Sequence, residues 1–275
     1  MGQIRLFVAT MLLLAARDGV PFTESGGAGS LAAPYAADVI GATPTLATSA
    51  SPNITLGAGT LSDTATVTGL IAPQSSATVE FRLYGPGDAS CIAPPVFVSA
   101  ARPITAGGVA SSTAFTPAAS GTYRWRAFYS GDPNNAPVNG ACNAPNESVV
   151  VNPAAPTIST SASAGVVLGG SVFDTASVTG RINALPSATI DFRLYGPLDA
   201  SCSGTPVFES LGRPQPIADG PVTSASFTPT QAGTYRWRAF YSGDPNNFAT
   251  SGPCNAAAES VVVTAPDALF LDGFE

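Results

Sequence analysis

Side-chain polarity alternates along residues 121–135, which read GTYRWRAFYSGDPNN. In an extended chain Tyr123 and Trp125 point to one face, whereas Phe128 and two arginines point to the other. This period of two predicts a half-buried β-strand, and the Gly, Asp, Pro and Asn residues that follow predict a turn. The same letters recur at 233–247, so we predict an equivalent strand there.

The large side chains on the apolar face of this strand are Tyr123 and Trp125, and their repeats are Tyr235 and Trp237. Tyrosine and tryptophan bury large areas when they pack inside a protein. We therefore predict that these four residues form the structural core of the two repeats.

Other short segments rich in β-branched and aromatic residues are separated by Gly, Pro, Asn and Asp. In the first repeat they predict seven strands, at Thr45–Ser49, Asp63–Thr68, Ala77–Tyr84, Pro95–Ala100, Ala110–Phe115, Gly121–Ser130 and Ser148–Val151. The second repeat follows at an offset of 111 to 112 residues. Strands of this number and length predict an all-β fold with two tandem antiparallel β-sandwiches, one at 43–153 and one at 157–265, joined by a proline-stiffened linker.

The two ends of the chain lie outside the repeats. Residues 1–16 combine Arg5 with an apolar run that is too short to span a bilayer, which predicts a signal peptide. Residues 17–42 are rich in Gly, Ala and Ser and are expected to form a flexible leader, with a candidate edge strand at Tyr35–Ile40. Residues 266–275 form a C-terminal tail that has no equivalent after the first repeat. No membrane span is expected in the mature chain.

Composition narrows the candidate chemistry. The chain contains no His and no Lys, which excludes Ser-His-Asp and Cys-His catalysis, His-bound zinc and Schiff-base chemistry. Its eleven basic residues are arginines spread singly along the sequence, so we predict no basic patch and no nucleic-acid partner. The eighteen acidic residues form no recognisable catalytic motif. We predict no enzyme activity, no cofactor and no metal.

The four cysteines are divided equally between the repeats, as Cys91 and Cys142, and Cys202 and Cys254. Three pairings are possible, and only Cys91–Cys142 with Cys202–Cys254 keeps each repeat self-contained. An even cysteine count and an export signal favour disulfides. In a simple seven-strand topology, however, Cys91 and Cys142 lie at opposite ends, so the loop between the last two strands must fold back along the sheet.

Four motifs resemble bacterial immunoglobulin-like (Ig-like) repeat domains: TLSDTATVTG at 60–69, FRLYGP at 81–86, GTYRWRAFYSGD at 121–132 and ESVVV at 147–151. The resemblance covers residues 43–264 and implies two tandem Ig-like sandwiches. It implies a tyrosine corner at Tyr123 and a packed tryptophan, Trp125, where antibody domains carry a disulfide cysteine. Such domains occur in secreted and cell-surface proteins as stalks, spacers or adhesive modules. The tail is also similar to short Asp-Gly-Phe-Glu endings of bacterial exported proteins.

One candidate metal site is the turn that contains Asp132, Asn134 and Asn135, which repeats at Asp244, Asn246 and Asn247. These side chains offer the oxygen ligands that calcium prefers. The same residue types also form turns in which they bond their own backbone, and we favour that interpretation.

The outer strand faces offer two further candidates. Tyr84, Phe128, Tyr195 and Phe240 are expected to be exposed, either as a platform for sugar or protein or as cross-strand packing. Glu80 is expected to pair across the sheet with Arg124 or Arg126, which would set the register without forming a site.

Two functions are consistent with these features. The first is a non-enzymatic exported structural or spacer protein, located outside the cytoplasm in the medium or at the cell surface. The alternative is an adhesin or ligand-binding module that holds a cell-surface glycan or protein. The sequence predicts no particular oligomeric state.

Overall fold

The computed structural model describes residues 41–266 of the 275-residue chain. The predicted signal peptide, the candidate strand of the leader and nearly all of the tail lie outside the described residues. All secondary-structure elements between residues 41 and 266 are β-strands. No helix in that range is long and apolar enough to cross a bilayer.

Each repeat contains nine strands. In the first repeat they are β1 (Thr45–Ala50), β2 (Ile54–Thr55), β3 (Asp63–Thr68), β4 (Thr78–Tyr84), β5 (Phe97–Pro103), β6 (Val109–Ser111), β7 (Gly121–Tyr129), β8 (Val138–Asn139) and β9 (Ser148–Asn152). In the second they are β10 (Thr157–Ala162), β11 (Val166–Val167), β12 (Asp174–Thr179), β13 (Thr189–Tyr195), β14 (Phe208–Pro214), β15 (Val222–Thr223), β16 (Gly233–Tyr241), β17 (Thr250–Ser251) and β18 (Ser260–Thr264).

Two sheets face each other in each repeat. In the first repeat, one sheet has the order β1-β3-β6, and the other has the order β2-β9-β7-β4-β5 with β8 paired to β7. All pairs are antiparallel except β2 with β9. The second repeat has the same two sheets, β10-β12-β15 and β11-β18-β16-β13-β14. This is the strand order of an Ig-like sandwich, so the described chain is two tandem Ig-like sandwiches.

The observed strands differ from the predicted set in three ways. The predicted strand Pro95–Ala100 is observed as β5, Phe97–Pro103, because its pairing with β4 continues to Pro103 opposite Thr78. The predicted strand Ala110–Phe115 ends at Ser111, because Thr113 N bonds the Ser99 Oγ of β5 instead of continuing the pairing with β3. The short strands β2 and β8 were not predicted, because two residues are too few for an alternation to be read. The predicted neighbours, now β4 and β7, do pair along their length.

The core of the first repeat is built around Trp125, which is fully buried. Its ring meets Phe81 edge-on at a centroid distance of 6.5 Å and Phe97 edge-on at 6.1 Å. In the second repeat Trp237 is fully buried and meets Phe208 edge-on at 6.0 Å. Edge-to-face contacts at these distances add to the hydrophobic stabilisation of burial.

A tyrosine corner begins β7. The Tyr123 hydroxyl donates to the Ala119 carbonyl oxygen at 2.9 Å, and the Tyr235 hydroxyl donates to that of Gln231 at 3.0 Å. Both rings are buried. The hydroxyl thus fixes the connection that enters the strand against the core.

The linker between the sandwiches is hydrogen-bonded to the second one. Ala154 N donates to Asn246 O, and Phe248 N donates to Ala154 O, each at 2.8 Å. Ala42 makes the same pair of bonds at the start of the first repeat, with Asn134 and Ala136. In both repeats, therefore, an alanine that precedes the first strand makes the same two backbone bonds to the turn after β7 or β16.

The two sandwiches also touch each other through side chains. Asn183 Nδ2 donates to Ala118 O at 2.9 Å, and Ser120 N donates to Asn246 Oδ1 at 3.0 Å. Ile182 packs against the apolar core of the first repeat. These contacts define the junction.

Replacing Gly121 by Ala should destabilise the first sandwich. Gly121 has a φ of +126°, and a Cβ there would lie 2.5 Å from Cβ of Pro86. The backbone strain alone costs about 1–3 kcal/mol, and the overlap adds to it. Chemical unfolding of the G121A variant measures the loss.

Gly87 provides the control, since a Cβ there has no neighbour within 4 Å. The G87A variant should unfold within about 0.5 kcal/mol of the parent protein. Equal stability of the two variants would contradict this role for Gly121.

Candidate functional site

Each repeat contains one disulfide. Cys91 and Cys142 are bonded with their Cα atoms 5.9 Å apart, and Cys202 and Cys254 are bonded with theirs 5.8 Å apart. The loop that follows β7 turns back beside it and pairs with it through β8, which brings Cys142 to the end of β4. The bond therefore staples the loop after β4 to the loop before β9.

The Asp132 loop is a hydrogen-bonded turn. The Asp132 carboxylate accepts bonds from Asn134 N at 2.8 Å, from Gln74 N at 3.2 Å and from Asn135 Nδ2 at 2.9 and 3.0 Å. The Tyr129 hydroxyl also lies within hydrogen-bond distance of it. These contacts hold the pKa of Asp132 below its usual range, against the effect of desolvation. Asp244 makes the corresponding bonds in the second repeat. Both carboxylate oxygens are thus engaged by the protein itself.

The four aromatic residues expected on the surface do not form a platform. Tyr84 and Tyr195 are each only 4% exposed, so the prediction that they point to solvent was wrong. They end their strands, next to the loops joined by the disulfides. Phe128 and Phe240 lie on the outer sheet face, but arginine side chains cover their rings.

The expected cross-strand ion pair of Glu80 was also wrong. In the observed register Glu80 lies opposite Phe128, and its carboxylate instead accepts from Nε of Arg82, two residues along the same strand, at 2.6 Å. Arg124 bonds Asn143, and Arg126 bonds the Gly140 carbonyl. The alternation of side chains predicted that Glu80, Arg124 and Arg126 share one face, but it did not predict which residues of β4 and β7 lie opposite each other.

The arginines are not spread singly in space. Arg82 on β4 lies directly opposite Arg126 on β7, and Arg124 projects from the same outer face. The second repeat has Arg193, Arg236 and Arg238 at the corresponding positions. We call each set of three the arginine face of its repeat. The arginine faces contain six of the eleven basic residues of the chain.

A buried pair of carboxylates was missed by sequence reasoning. Asp63 on β3 is 1% exposed and Glu147, just before β9, is 2% exposed, so the pair reaches from one sheet to the other. The Thr48 hydroxyl donates to Oε1 of Glu147, but both Asp63 carboxylate oxygens and Oε2 of Glu147 have no hydrogen-bond partner among the described residues. Asp174 and Glu259 repeat the pair. The available signal was Asp63 itself, which occupies an inward position of the alternation that also contains Ala65 and Val67.

Burial shifts the titration of these acids. It raises the pKa of Asp63 to about 7, helped by the negative charge of Glu147. It raises the pKa of Asp174 to about 6 and that of Glu259 to about 8, the latter helped by the charge of Asp174. Burial also raises the pKa of Glu147, opposed by the Thr48 hydrogen bond and by the positive charge of Arg126. In both sandwiches these acids therefore keep their protons to a higher pH than the same acids do in water.

Among residues 41–266 no group of three or more His, Cys, Asp or Glu side chains is arranged to hold a metal ion.

Comparison with known proteins gives a fold likeness and no family. No family model matches the sequence, and no curated protein matches it. Solved structures that align include an alpha-2-macroglobulin of Escherichia coli (11% identity, TM-score 0.30, 85% of this chain and 23% of that one). They also include the Yersinia pseudotuberculosis adhesin InvE (14%, 0.32, 79% and 58%) and the E. coli adhesin FdeC (14%, 0.30, 80% and 64%). The chain thus spans less than two thirds of each of these three structures, and at these TM-scores the likeness carries no function over.

Removing one disulfide should destabilise its own sandwich. The Cys91–Cys142 bond closes a loop of 51 residues, for which the chain-entropy model gives about 4 kcal/mol as an upper figure. We expect the C91A/C142A variant to lose a few kcal/mol in chemical unfolding under oxidising conditions. The C202A/C254A variant tests the other repeat in the same way, and a loss under about 1 kcal/mol in both would contradict a stapling role.

The buried acids should make the protein more stable at mildly acidic pH. Their pKa values are higher in the folded state than the ordinary 3.8 of Asp and 4.5 of Glu, so the folded protein binds more protons than the unfolded chain in between. Their contribution to stability should be full below about pH 4 and should fall as the pH rises from there towards about 8. Melting temperatures across this range give the measurement.

The D63N/D174N variant should show a weaker dependence on pH, since two of the raised acids no longer titrate. The control is T64N/T175N, which changes the next residue on β3 and β12 without removing a titratable group and should keep the slope of the parent protein. A parent protein that becomes steadily more stable from about pH 5 to about pH 8 would overturn the interpretation.

Proposed function

We propose that the protein is a non-enzymatic spacer that works outside the cytoplasm, built from two Ig-like sandwiches held at a defined angle. The observation that carries the proposal is the junction. Besides the covalent linker, Asn183, Ser120 and Ile182 join the sandwiches directly. Contacts between domains beyond the linker restrict the motion of one domain against the other, which is what a spacer requires.

An extracytoplasmic location is supported by the disulfides. Two sandwiches with sizeable apolar cores each contain one, and such bonds persist in oxidising compartments and are rare in the cytosol. The signal peptide predicted at residues 1–16 supports the same location. Membership of the bacterial Ig-like repeat family belongs to this proposal as well, since the four sequence motifs favour it.

The residues that form the junction differ from those at the corresponding positions of the other repeat, where no such contact exists among the described residues. The Ser120 hydroxyl donates to the Pro245 carbonyl oxygen and Asn183 donates to that of Ala118, whereas Ala232 and Ala72 stand at the corresponding positions of the other repeat. Ile182 is covered by the first repeat, whereas the corresponding Ile71 is 62% exposed. The side chains of Ser120 and Asn183 are thus present only at the two surfaces that meet, whereas Asn246 is repeated as Asn134.

Residual dipolar couplings of the full chain test the proposal. If the junction holds, one alignment tensor fits the amides of both sandwiches. In the S120A/I182S/N183A variant two different tensors should be needed, because only the bond from Ser120 N to Asn246 Oδ1 then remains beside the linker.

Each sandwich should still fold in that variant. Two of its substitutions introduce the residue that stands at the same place in the other repeat, and the position of Ile182 is largely exposed there. The I71S variant is the matched control and should keep a single tensor. Independent alignment of the sandwiches in the parent protein would disprove the spacer proposal.

A further inference from the structure

The arginine face concentrates positive charge on a protein with a net charge of −7. In the first repeat three arginines share the outer sheet face with one carboxylate, Glu80. In the second repeat three arginines share it with Asp191 and Glu209. Each face is therefore net positive, although acidic residues outnumber arginines in the whole chain.

The arrangement of these arginines is costly if its role is only structural. Arg82 and Arg126 are directly opposite each other on neighbouring strands, and like charges so placed repel. Neutral side chains could cover Phe128 equally well. The second repeat nevertheless has the same opposed pair, Arg193 with Arg238.

Phe128 holds the two guanidinium groups in place. The Cζ atom of Arg82 lies 4.3 Å from the ring centroid of Phe128, and that of Arg126 lies 5.1 Å from it. Around Phe240 the corresponding distances are 4.7 Å for Arg193 and 4.9 Å for Arg238. Stacking on an aromatic ring fixes a planar guanidinium before any ligand arrives, which lowers the entropy cost of binding.

Donors remain available on the fixed groups. Arg126 uses its Nε atom for the Gly140 carbonyl at 3.1 Å, and Arg238 uses its Nε for that of Gly252 at 3.1 Å. The terminal Nη atoms of these two arginines make no hydrogen bond to the protein among residues 41–266. A guanidinium held along one edge in this way presents its other N–H groups to a carboxylate or sulfate.

We infer that the arginine faces bind an acidic polysaccharide through its carboxylate or sulfate groups. This surface gives the spacer a binding activity that the proposed function does not include. Two copies of one cationic surface in tandem suit a polymer whose charge repeats along its length, because the second contact then becomes intramolecular.

Nucleic acid fits the surface less well than a polysaccharide does. Single-stranded nucleic acid is held by bases that stack on open aromatic rings, and here Arg82 covers Phe128. An acidic polypeptide has the right charge, but an extended chain turns alternate side chains away from a flat face. Polyglutamate is therefore included in the test as the competing ligand.

Affinity electrophoresis of the full chain measures the binding. The gels contain polygalacturonate, dextran sulfate, neutral dextran or polyglutamate. We expect retardation by polygalacturonate, by dextran sulfate or by both, with none by dextran, and weaker retardation as salt is added. Whichever acidic polymer retards the protein identifies the anion.

The R126Q/R238Q variant should bind at least about tenfold more weakly, which corresponds to the loss of about 1.4 kcal/mol. The R82Q/R193Q variant should show the same direction, and it leaves the cation beside Glu147 in place. The control is R102Q/R213Q, which removes the same charge from strands β5 and β14 at positions paired with the inward-facing Val79 and Ile190. Its affinity should stay within about twofold of that of the parent. Melting temperatures show that each variant is folded.

The inference fails if neither polysaccharide retards the parent protein at low salt. It also fails if the control variant loses as much affinity as the two arginine-face variants. Retardation by polyglutamate as strong as by the polysaccharides would replace the polysaccharide with an acidic protein as the partner.

Discussion

The packing of Trp125 between the two sheets is the interaction on which the first sandwich depends. The indole lies on β7, the central strand of the larger sheet, and it meets Phe81 of β4 and Phe97 of β5. A single buried group thereby contacts side chains of the two strands that lie next along the sheet from its own. In the second repeat Trp237 of β16 meets Phe208 of β14 in the same edge-on geometry. Loss of this contact would remove both burial and aromatic geometry from the centre of the sheet.

The same packing positions the outer surface. Since side chains alternate along a strand, an inward Trp125 requires Arg124 and Arg126 to point outward. A shift of one residue would reverse both faces, so the buried tryptophan also specifies where the guanidinium groups stand. The inward position of the tryptophan therefore determines both the core and the arginine face, and both features recur in the second repeat.

Much of the fold could be predicted because alternation reports burial directly. The phase of β7 and the two-sandwich architecture follow from apolar positions and turn residues, and the pairing of β4 with β7 then follows from the topology of such a sandwich. Register does not, because pairing depends on contacts between strands that alternation along one strand does not encode. For that reason Glu80 was assigned to Arg124 or Arg126, although the observed ladder places it opposite Phe128. Tyr84 was misplaced for a related reason. It is the last residue of its strand, where neighbouring loops cover the outer face as well. The Asp63–Glu147 pair was missed because a carboxylate at an inward position is rare, and its partner lies more than eighty residues away in sequence.

The disulfide determines how far a sandwich can lengthen when it is pulled from its ends. The Cys91–Cys142 bond encloses β5, β6, β7 and β8, so a pulling force reaches only the strands outside the loop once the fold gives way. A fully extended chain spans about 3.3–3.6 Å per residue, so with a sequence separation of 51 the bond prevents roughly 160–180 Å of extension. Under tension each repeat therefore acts as a short tether with a built-in limit, and reduction of the bond would release the remaining length.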